Sequence, residues 1–129
     1  MINHEQVRAQ NAWKAVMEEG LRGRGVEDGD ALSGFPALIV NNGLLSALAY
    51  AMSKNKGGYK EIGNAIAAHL SHENIQLLHG QEETLEGLTN FLREEPSQTL
   101  RMCTAETMAF LNYLRRFAKA SESKNKEHA

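Results

Sequence analysis

The stretch PALIVNNGLLSALAY, residues 36–50, decides the fold class because it can be interpreted in two opposite ways. Asn42-Gly43 between two apolar runs is the strongest short-range pattern for a β-hairpin. The residues that follow are rich in Leu, Ala and Met and lack β-branched residues, which favours a helix. The choice between these interpretations fixes the fold class, and the fold class limits the functions that stay open.

The phase of the apolar residues distinguishes the two interpretations. If residues 35–53 form one helix, a single apolar stripe stays in phase across the Asn-Gly pair, and its members are Leu38, Leu45, Leu48, Ala49 and Met52. A hairpin would need no such agreement between its arms. We therefore predict a helix here, with Ser33 as its N-cap and Pro36 in its first turn, where the missing N–H does no harm.

Gly43 is the unfavourable residue in this predicted helix, since glycine costs about 1 kcal/mol in a helix interior. Burial of the apolar stripe can offset that cost. A close contact between two helices would explain why a residue without a side chain occupies this position. We interpret the segment as a helix with local strain at Gly43.

The rest of the chain continues the helical pattern. Asn3 is predicted to cap a first helix that ends near Gly20, and a Gly-rich loop follows over residues 20–34. A further stripe starts at Tyr59 and breaks near residue 71. A short helix over about residues 85–95 stops before Pro96, after which a last helix begins. The predicted fold is all-α, a compact single-domain bundle of about five to six helices without internal repeats or a credible strand.

The domain is predicted to cover residues 1–120, with a disordered tail over 121–129. The lone Cys103 excludes an intrachain disulfide and fits a reducing compartment. The polar N-terminus lacks the apolar core of a signal peptide, and the longest nearly apolar run, residues 44–52, is far shorter than the roughly 20 residues of a membrane span. We therefore expect a soluble, intracellular protein that does not meet a membrane.

The net charge is small, but acidic and basic residues are unevenly distributed along the chain. Fourteen Lys and Arg stand against sixteen Asp and Glu, a net charge of −2. Residues 73–95 contain six Glu and one Arg, whereas residues 97–129 contain six basic and three acidic residues. A strongly basic, stand-alone nucleic-acid binder would not have this composition. A polarised surface that attracts polyanions or acidic partners stays open.

The predicted last helix places four cations on the face opposite its apolar stripe: Arg101, Arg115, Arg116 and Lys119, called the cationic ridge below. Three more surround Gly57-Gly58 and are called the lysine cluster: Lys54, Lys56 and Lys60. Such groups could follow phosphates through salt-sensitive contacts. The alternatives are an ordinary solvated helix face and an ordinary helix-ending loop, and spacing alone leaves both open.

A metal or catalytic site has weaker support. Residues His69, His72, Glu73 and His79 contain potential ligands, but a catalytic zinc needs three protein ligands in a fixed shell, and the sequence has no His-Glu-x-x-His pair. Cys103 lies on the apolar face of its helix, where thiols are inert. We therefore predict no enzyme, no metal and no cofactor, and interpret the histidines as surface or half-buried residues.

The order of motifs resembles a known family. An N-terminal helix with Ala12-Trp13, then FPALIVNNGLLSALAYAM (35–52), then LRMCTAETMAFLNYLRRFAKA (100–120), is similar to the small subunit of the Cmr (type III-B) CRISPR RNA-guided interference complex. The resemblance runs from about residue 6 to 120. Leu45-Ser46 departs from it, since the family commonly has a Gly and a polar residue there, and the Gly-rich loop is longer than usual.

The resemblance implies a non-catalytic α-helical subunit in the cytoplasm of a prokaryote. Several copies would stack as a minor filament beside the backbone subunits of the Cmr complex, line the groove that holds the guide RNA and the target RNA, and support target binding in antiviral defence. The cationic ridge and the lysine cluster are the expected nucleic-acid-binding residues, and the acidic segment 73–95 is a candidate to meet a basic patch on a neighbour. Two other functions stay open: a homo-oligomeric helical adaptor without RNA contact, and a histidine-based metalloenzyme.

Overall fold

The structure is a computed structural model that describes residues 3–21, 24–25, 29–55 and 58–127. In the described residues the chain forms six helices, in the order α1 (His4–Met17), α2 (Ala31–Asn42), α3 (Leu44–Ser53), α4 (Tyr59–Ser71), α5 (Leu85–Glu94) and α6 (Ser97–Glu127). Two short strands, β1 (Arg24–Gly25) and β2 (Gly29–Asp30), pair antiparallel within the Gly-rich loop. This local pairing does not change the fold class, and the predicted all-α bundle is confirmed.

The Asn-Gly pair is a helix break. The prediction of helix rather than hairpin is confirmed, but the prediction of one uninterrupted helix is wrong, because α2 ends at Asn42 and α3 starts at Leu44. Gly43 between them has φ 91° and ψ 160°, a backbone region that only glycine enters readily. Its N–H still donates to the carbonyl of Ile39 at 2.8 Å, so the chain leaves the helix for a single residue.

A close helix contact does not account for Gly43. Apart from Gly43 itself and its two chain neighbours, no atom of the described residues lies within 4 Å of the position that a Cβ of Gly43 would take. The backbone conformation, and not a lack of space, therefore explains the glycine. The start of the helix differs as well, because α2 begins at Ala31 and includes both Ser33 and Pro36.

The buried face of α2 and α3 is shifted from the predicted stripe. Of the predicted members, Leu48 is buried, Leu38 and Leu45 are partly buried, and Ala49 and Met52 are exposed. The side chains that are buried instead are Ala31, Leu32, Phe35, Ile39, Leu44, Ala47 and Ala51. The prediction assumed one helical period from residue 35 to residue 53. Because the helix is broken at Gly43, the buried faces of α2 and α3 do not continue in one phase, and the predicted stripe matches neither face fully.

The core lies between the helices. Helix α6 packs along α1, α2 and α4, and α3 packs against α2, α4 and α5. Phe35, Leu48, Ile66, Leu88 and Phe110, each from a different helix, are fully buried in it. These contacts make α6 the element on which much of the bundle is assembled.

Two helix ends follow the sequence prediction closely. Asn3 caps α1 in a capping box: its side chain accepts from the backbone N–H of Gln6 at 2.9 Å, and the Gln6 side chain accepts from the N–H of Asn3 at 3.0 Å. Helix α5 ends at Glu94 before Pro96, as predicted. Helix α6 continues to Glu127 and so extends past residue 120, where the sequence predicts a disordered tail to begin. No described helix combines the length and the apolar character that crossing a membrane would require.

Candidate functional site

The cationic ridge lies on the solvent side of α6. All four of its side chains are exposed, while Cys103, Thr107, Phe110 and Leu114 of the same helix are buried. At 1.5 Å per residue, the ridge extends about 27 Å from its first to its last member. The structure thus gives the ridge the exposure that contact with a polyanion requires.

Within the described residues, the ridge has few partners. The Nε of Arg116 donates to the Oδ1 of Asn112 at 3.4 Å, one turn away. The ion pairs found between described residues all converge on Glu106, and none includes a member of the ridge. The four cations of the ridge are therefore not present to form salt bridges with carboxylates in the described part of the chain.

The lysine cluster is less uniform. Lys54 is partly buried at the end of α3, with its Nζ 5.9 Å from the ring centroid of Tyr50. Lys60, in the first turn of α4, is exposed and donates from Nζ to the Oδ1 of Asn55 at 3.0 Å. Lys56 lies outside the described residues. Lys60 is thus the described lysine of this cluster with the greater exposure.

A buried polar network lies on the other side of α6 and joins three helices. Arg8 of α1 donates from Nε and Nη2 to the two carboxylate oxygens of Glu106, at 2.7 and 2.8 Å. The Nε2 of His69 in α4 lies 2.9 Å from Glu106 Oε2, and the Nδ1 of His69 lies 2.9 Å from the Nδ2 of Asn11. His69 and Glu106 are 2% and 5% exposed, and the His69 ring stacks on Phe110 with centroids 4.3 Å apart.

The hydrogen bonds fix the protonation of this network. Asn11 donates its amide to Nδ1 of His69, so Nδ1 must be the acceptor and Nε2 must carry the proton that is donated to Glu106. The arrangement is satisfied by a neutral His69, an ionised Glu106 and a cationic Arg8. Its net charge is zero, which is the condition under which a buried ionic group is tolerated.

The pKa shifts agree with this assignment. Burial lowers the pKa of His69, and its hydrogen bond to Glu106 does not fully compensate. Burial alone would raise the pKa of Glu106, but the hydrogen bonds from Arg8 and His69 outweigh it and leave that pKa below its usual value. The hydrogen bond to Glu106 raises the pKa of Arg8 further.

The sequence analysis did not identify this network. Glu106 appeared there only within a quoted motif, and His69 only as a potential metal ligand. A signal was present: Glu106 follows Cys103 by three residues and precedes Phe110 by four, which places a carboxylate at the edge of the inward face of α6. Its partner Arg8, 98 positions away, could not be found in this way.

The potential metal ligands His69, His72, Glu73 and His79 do not form a metal centre. In the part of the chain that the structure describes, no group of three or more potential ligands comes together. Both ring nitrogens of His69 are occupied by the polar network. His72 accepts from the backbone N–H of Asn74 at 3.2 Å, and His79 lies against the ring of Phe91.

Acid is expected to destabilise the protein through this network. Because the pKa of His69 is lowered in the folded state, the unfolded chain binds a proton more readily below pH 6.5, and stability is lost as the pH falls from there. The lowered pKa of Glu106 acts in the same direction below pH 4.5. His69 should contribute a slope of at most about 1.4 kcal/mol per pH unit. Urea unfolding between about pH 7.5 and pH 5.5 measures it.

The matched variants for this measurement are His69→Gln and His79→Gln. The first should remove most of the slope above pH 5.5, since it removes the buried titrating group. The second replaces an exposed histidine and should leave the slope unchanged. Equal slopes in the two variants would show that His69 is not the group responsible.

Fold and surface together define a small all-α protein with a cationic helix face and a buried, charge-neutral network behind it. The model of the family described as CRISPR-associated protein (Cas_Cmr5) matches residues 4–121. The chain therefore belongs to this family, and the resemblance seen in the sequence is confirmed.

Individual relatives agree with the family match. The chain is similar to CRISPR system Cmr subunit Cmr5 of Thermus thermophilus, with 33% identity over 121 residues that cover 93% of this chain and 96% of that protein. It is also similar to the crystal structure of a CRISPR-associated Cmr5 family protein from the same organism. That comparison has a TM-score of 0.70 and 28% identity, and it covers 93% of this chain and 97% of the other.

Proposed function

We propose that this chain is a non-catalytic small subunit of a type III-B Cmr effector complex. Several copies stack beside the backbone subunits of the complex in the cytoplasm, and their cationic ridges face the groove that holds the guide and target RNA. Membership of the Cas_Cmr5 family supports the assembly, as does similarity to the Thermus thermophilus protein that is named as a Cmr subunit.

The exposure of the cationic ridge is the observation that carries the RNA contact. Three of its four members are Arg, whose planar guanidinium can make paired hydrogen bonds to a phosphate. They lie on one rigid helix and are free of ion pairs with described carboxylates. The ridge therefore offers a line of donors to a polyanion without first having to break internal salt bridges.

Repetition compensates for the small number of contacts in each copy. A chain of net charge −2 with one cationic face makes few phosphate contacts and binds RNA weakly on its own. When copies are held side by side, each further contact becomes intramolecular and its effective concentration rises. The lysine cluster, Lys54, Lys56 and Lys60, would add further contacts to phosphates.

The decisive variant is Arg115→Glu in the assembled complex. It should weaken retention of target RNA by about tenfold and lower the salt dependence of binding by about one ion per copy, because a phosphate contact is replaced by repulsion. Binding of target RNA at several salt concentrations, with native mass spectrometry to verify that the complex is intact, measures both effects.

Arg93→Glu is the matched control. It makes the same change of charge at an exposed position of α5, away from the ridge, and should alter neither affinity nor salt dependence. If Arg115→Glu also left both unchanged, the ridge would be an ordinary solvated helix face. If no RNA accompanied the wild-type protein at any salt concentration, the adaptor without RNA contact would be the better assignment.

A further inference from the structure

The segment formed by α2 and α3 has an unusual surface. Residues 31–53 contain no Asp, Glu, Lys or Arg, although 23% of the whole chain is charged. Val40, at the end of α2, is 72% exposed, and its neighbours Asn41, Asn42 and Gly43 are exposed as well. Depletion of charge around an exposed apolar residue is typical of the core of a protein interface. This surface is called the Val40 tip below.

A second apolar surface lies on α1 and α6. Trp13, which is 50% exposed, packs edge-to-face on Phe117 with ring centroids 5.4 Å apart, and both line an open groove of about 570 Å³. Lys14 and Glu18, of opposite charge, lie on the same groove, and Gln10 is an exposed polar residue that also lines it. This surface is called the Trp13 groove. Large aromatic residues in such hollows are the common anchors of protein interfaces.

We infer that the Val40 tip of one copy inserts into the Trp13 groove of the next copy, an inference that rests on the stacking of copies in the proposed function. The tip and the groove lie on different helices of the same chain. A contact between two different surfaces is head-to-tail, and it leaves one tip and one groove free at the ends of every stack that does not close into a ring. The same contact can therefore be repeated along a filament.

The polar groups around the two surfaces favour a second copy over a charged partner. Lys14 and Glu18 offset each other, so the groove offers no net attraction to a strongly basic or a strongly acidic partner surface. The side-chain amides of Asn41 and Asn42 suit both side chains, since an amide can donate to a carboxylate and accept from an ammonium group. Val40 therefore suits the apolar centre of the groove, and the two asparagine amides can hydrogen-bond to the charged groups of either sign beside it.

The contact can be tested by crosslinking the full-length purified chain without RNA. The double variant Val40→Cys/Gln10→Cys places one thiol at the tip and one at the groove, and a short bismaleimide should convert it into a ladder of covalent oligomers. The native Cys103 does not interfere, because it is buried and burial raises its pKa to about 11. Each single variant should stay monomeric, and a mixture of the two singles should stop at a dimer.

Val40→Cys/Met102→Cys is the matched control, since Met102 is a half-exposed apolar residue of α6 that does not line the groove. Its thiols should not produce a ladder. Addition of Trp13→Ala to the first pair should abolish the ladder, with circular dichroism to verify that the variant is folded. Absence of the ladder in the tip–groove pair, or an equal ladder in the control, would overturn the inference.

This experiment is separate from the test of RNA binding. A ladder together with unchanged RNA retention in Arg115→Glu would establish the stacking contact and refute the RNA-facing role of the ridge. No ladder together with a loss of RNA retention would refute the contact and leave the RNA-facing role standing.

Discussion

Replacement of Glu106 by alanine is expected to lower the free energy of unfolding by about 3–5 kcal/mol, the cost of removing one partner from a buried ion pair. The carboxylate receives two hydrogen bonds from Arg8 and one from His69. Its loss leaves the guanidinium, whose side chain is only 26% exposed, without a counter-charge, and the buried Nε2–H of His69 without an acceptor. Urea denaturation followed by circular dichroism measures the change.

Two further variants separate the ion pair from other effects. Glu83→Ala removes an exposed carboxylate and should stay within about 0.5 kcal/mol of the wild type. Arg8→Met combined with Glu106→Gln removes both charges while the glutamine carbonyl still accepts from His69. This double variant should be more stable than Glu106→Ala, and a lower stability would contradict the view that an unpaired charge causes the loss.

Gly43→Ala is expected to cost about 1–3 kcal/mol because alanine does not readily adopt the backbone angles of φ 91° and ψ 160° found there. Steric clash with another part of the described structure is not the cause, since the added Cβ would meet no atom within 4 Å beyond its own residue and the two chain neighbours. The variant must either hold a strained residue or rearrange the junction between α2 and α3. Thermal and urea unfolding of the full-length chain measure the cost.

The control for this prediction is a change of chirality at the same position. D-alanine, introduced at position 43 by chemical ligation, has the side-chain size of L-alanine but prefers positive φ, so it should restore most of the lost stability. Asn42→Ala, at an exposed helical position next to the break, should have a small effect. An equal loss with L- and D-alanine would show that the glycine is needed for a reason other than its backbone angles.

The buried network and the cationic ridge are related through α6. The network joins α1 and α4 to the inner side of this helix, and Tyr113 adds a contact by donating to the Oε1 of Glu5 at 2.7 Å. The ridge occupies the outer side of the same helix. A helix held on its inner side by charge-assisted hydrogen bonds presents its outer cations on a rigid support, which lowers the entropic cost of binding.

Local patterns predicted much of the fold. The capping box at Asn3 and the stop at Pro96 depend on neighbours within a few residues, so the printed sequence contains the information for both. The exposure of Arg101, Arg115, Arg116 and Lys119 followed from helical periodicity for the same reason. The Cas_Cmr5 family was found from the order of such motifs along the chain.

The break at Gly43 was predicted only in part. Glycine there pointed to something unusual, but the sequence alone could not distinguish a close helix contact from a positive φ, since glycine satisfies both. The apolar face of α2 and α3 was placed incorrectly for that reason, because the angle between two helices at a break is set by the surfaces on which they pack.

The sequence by itself determined the helical class, most helix ends and the cationic face of α6, because each depends on periodicity and on chemistry between near neighbours. Only the tertiary structure decided that Arg8, His69 and Glu106 form one neutral network. Along the chain, Glu106 is 98 positions from Arg8 and 37 positions from His69. The same holds for the separate positions of the Val40 tip and the Trp13 groove. Contacts between residues distant in sequence arise from packing, and no local pattern encodes them.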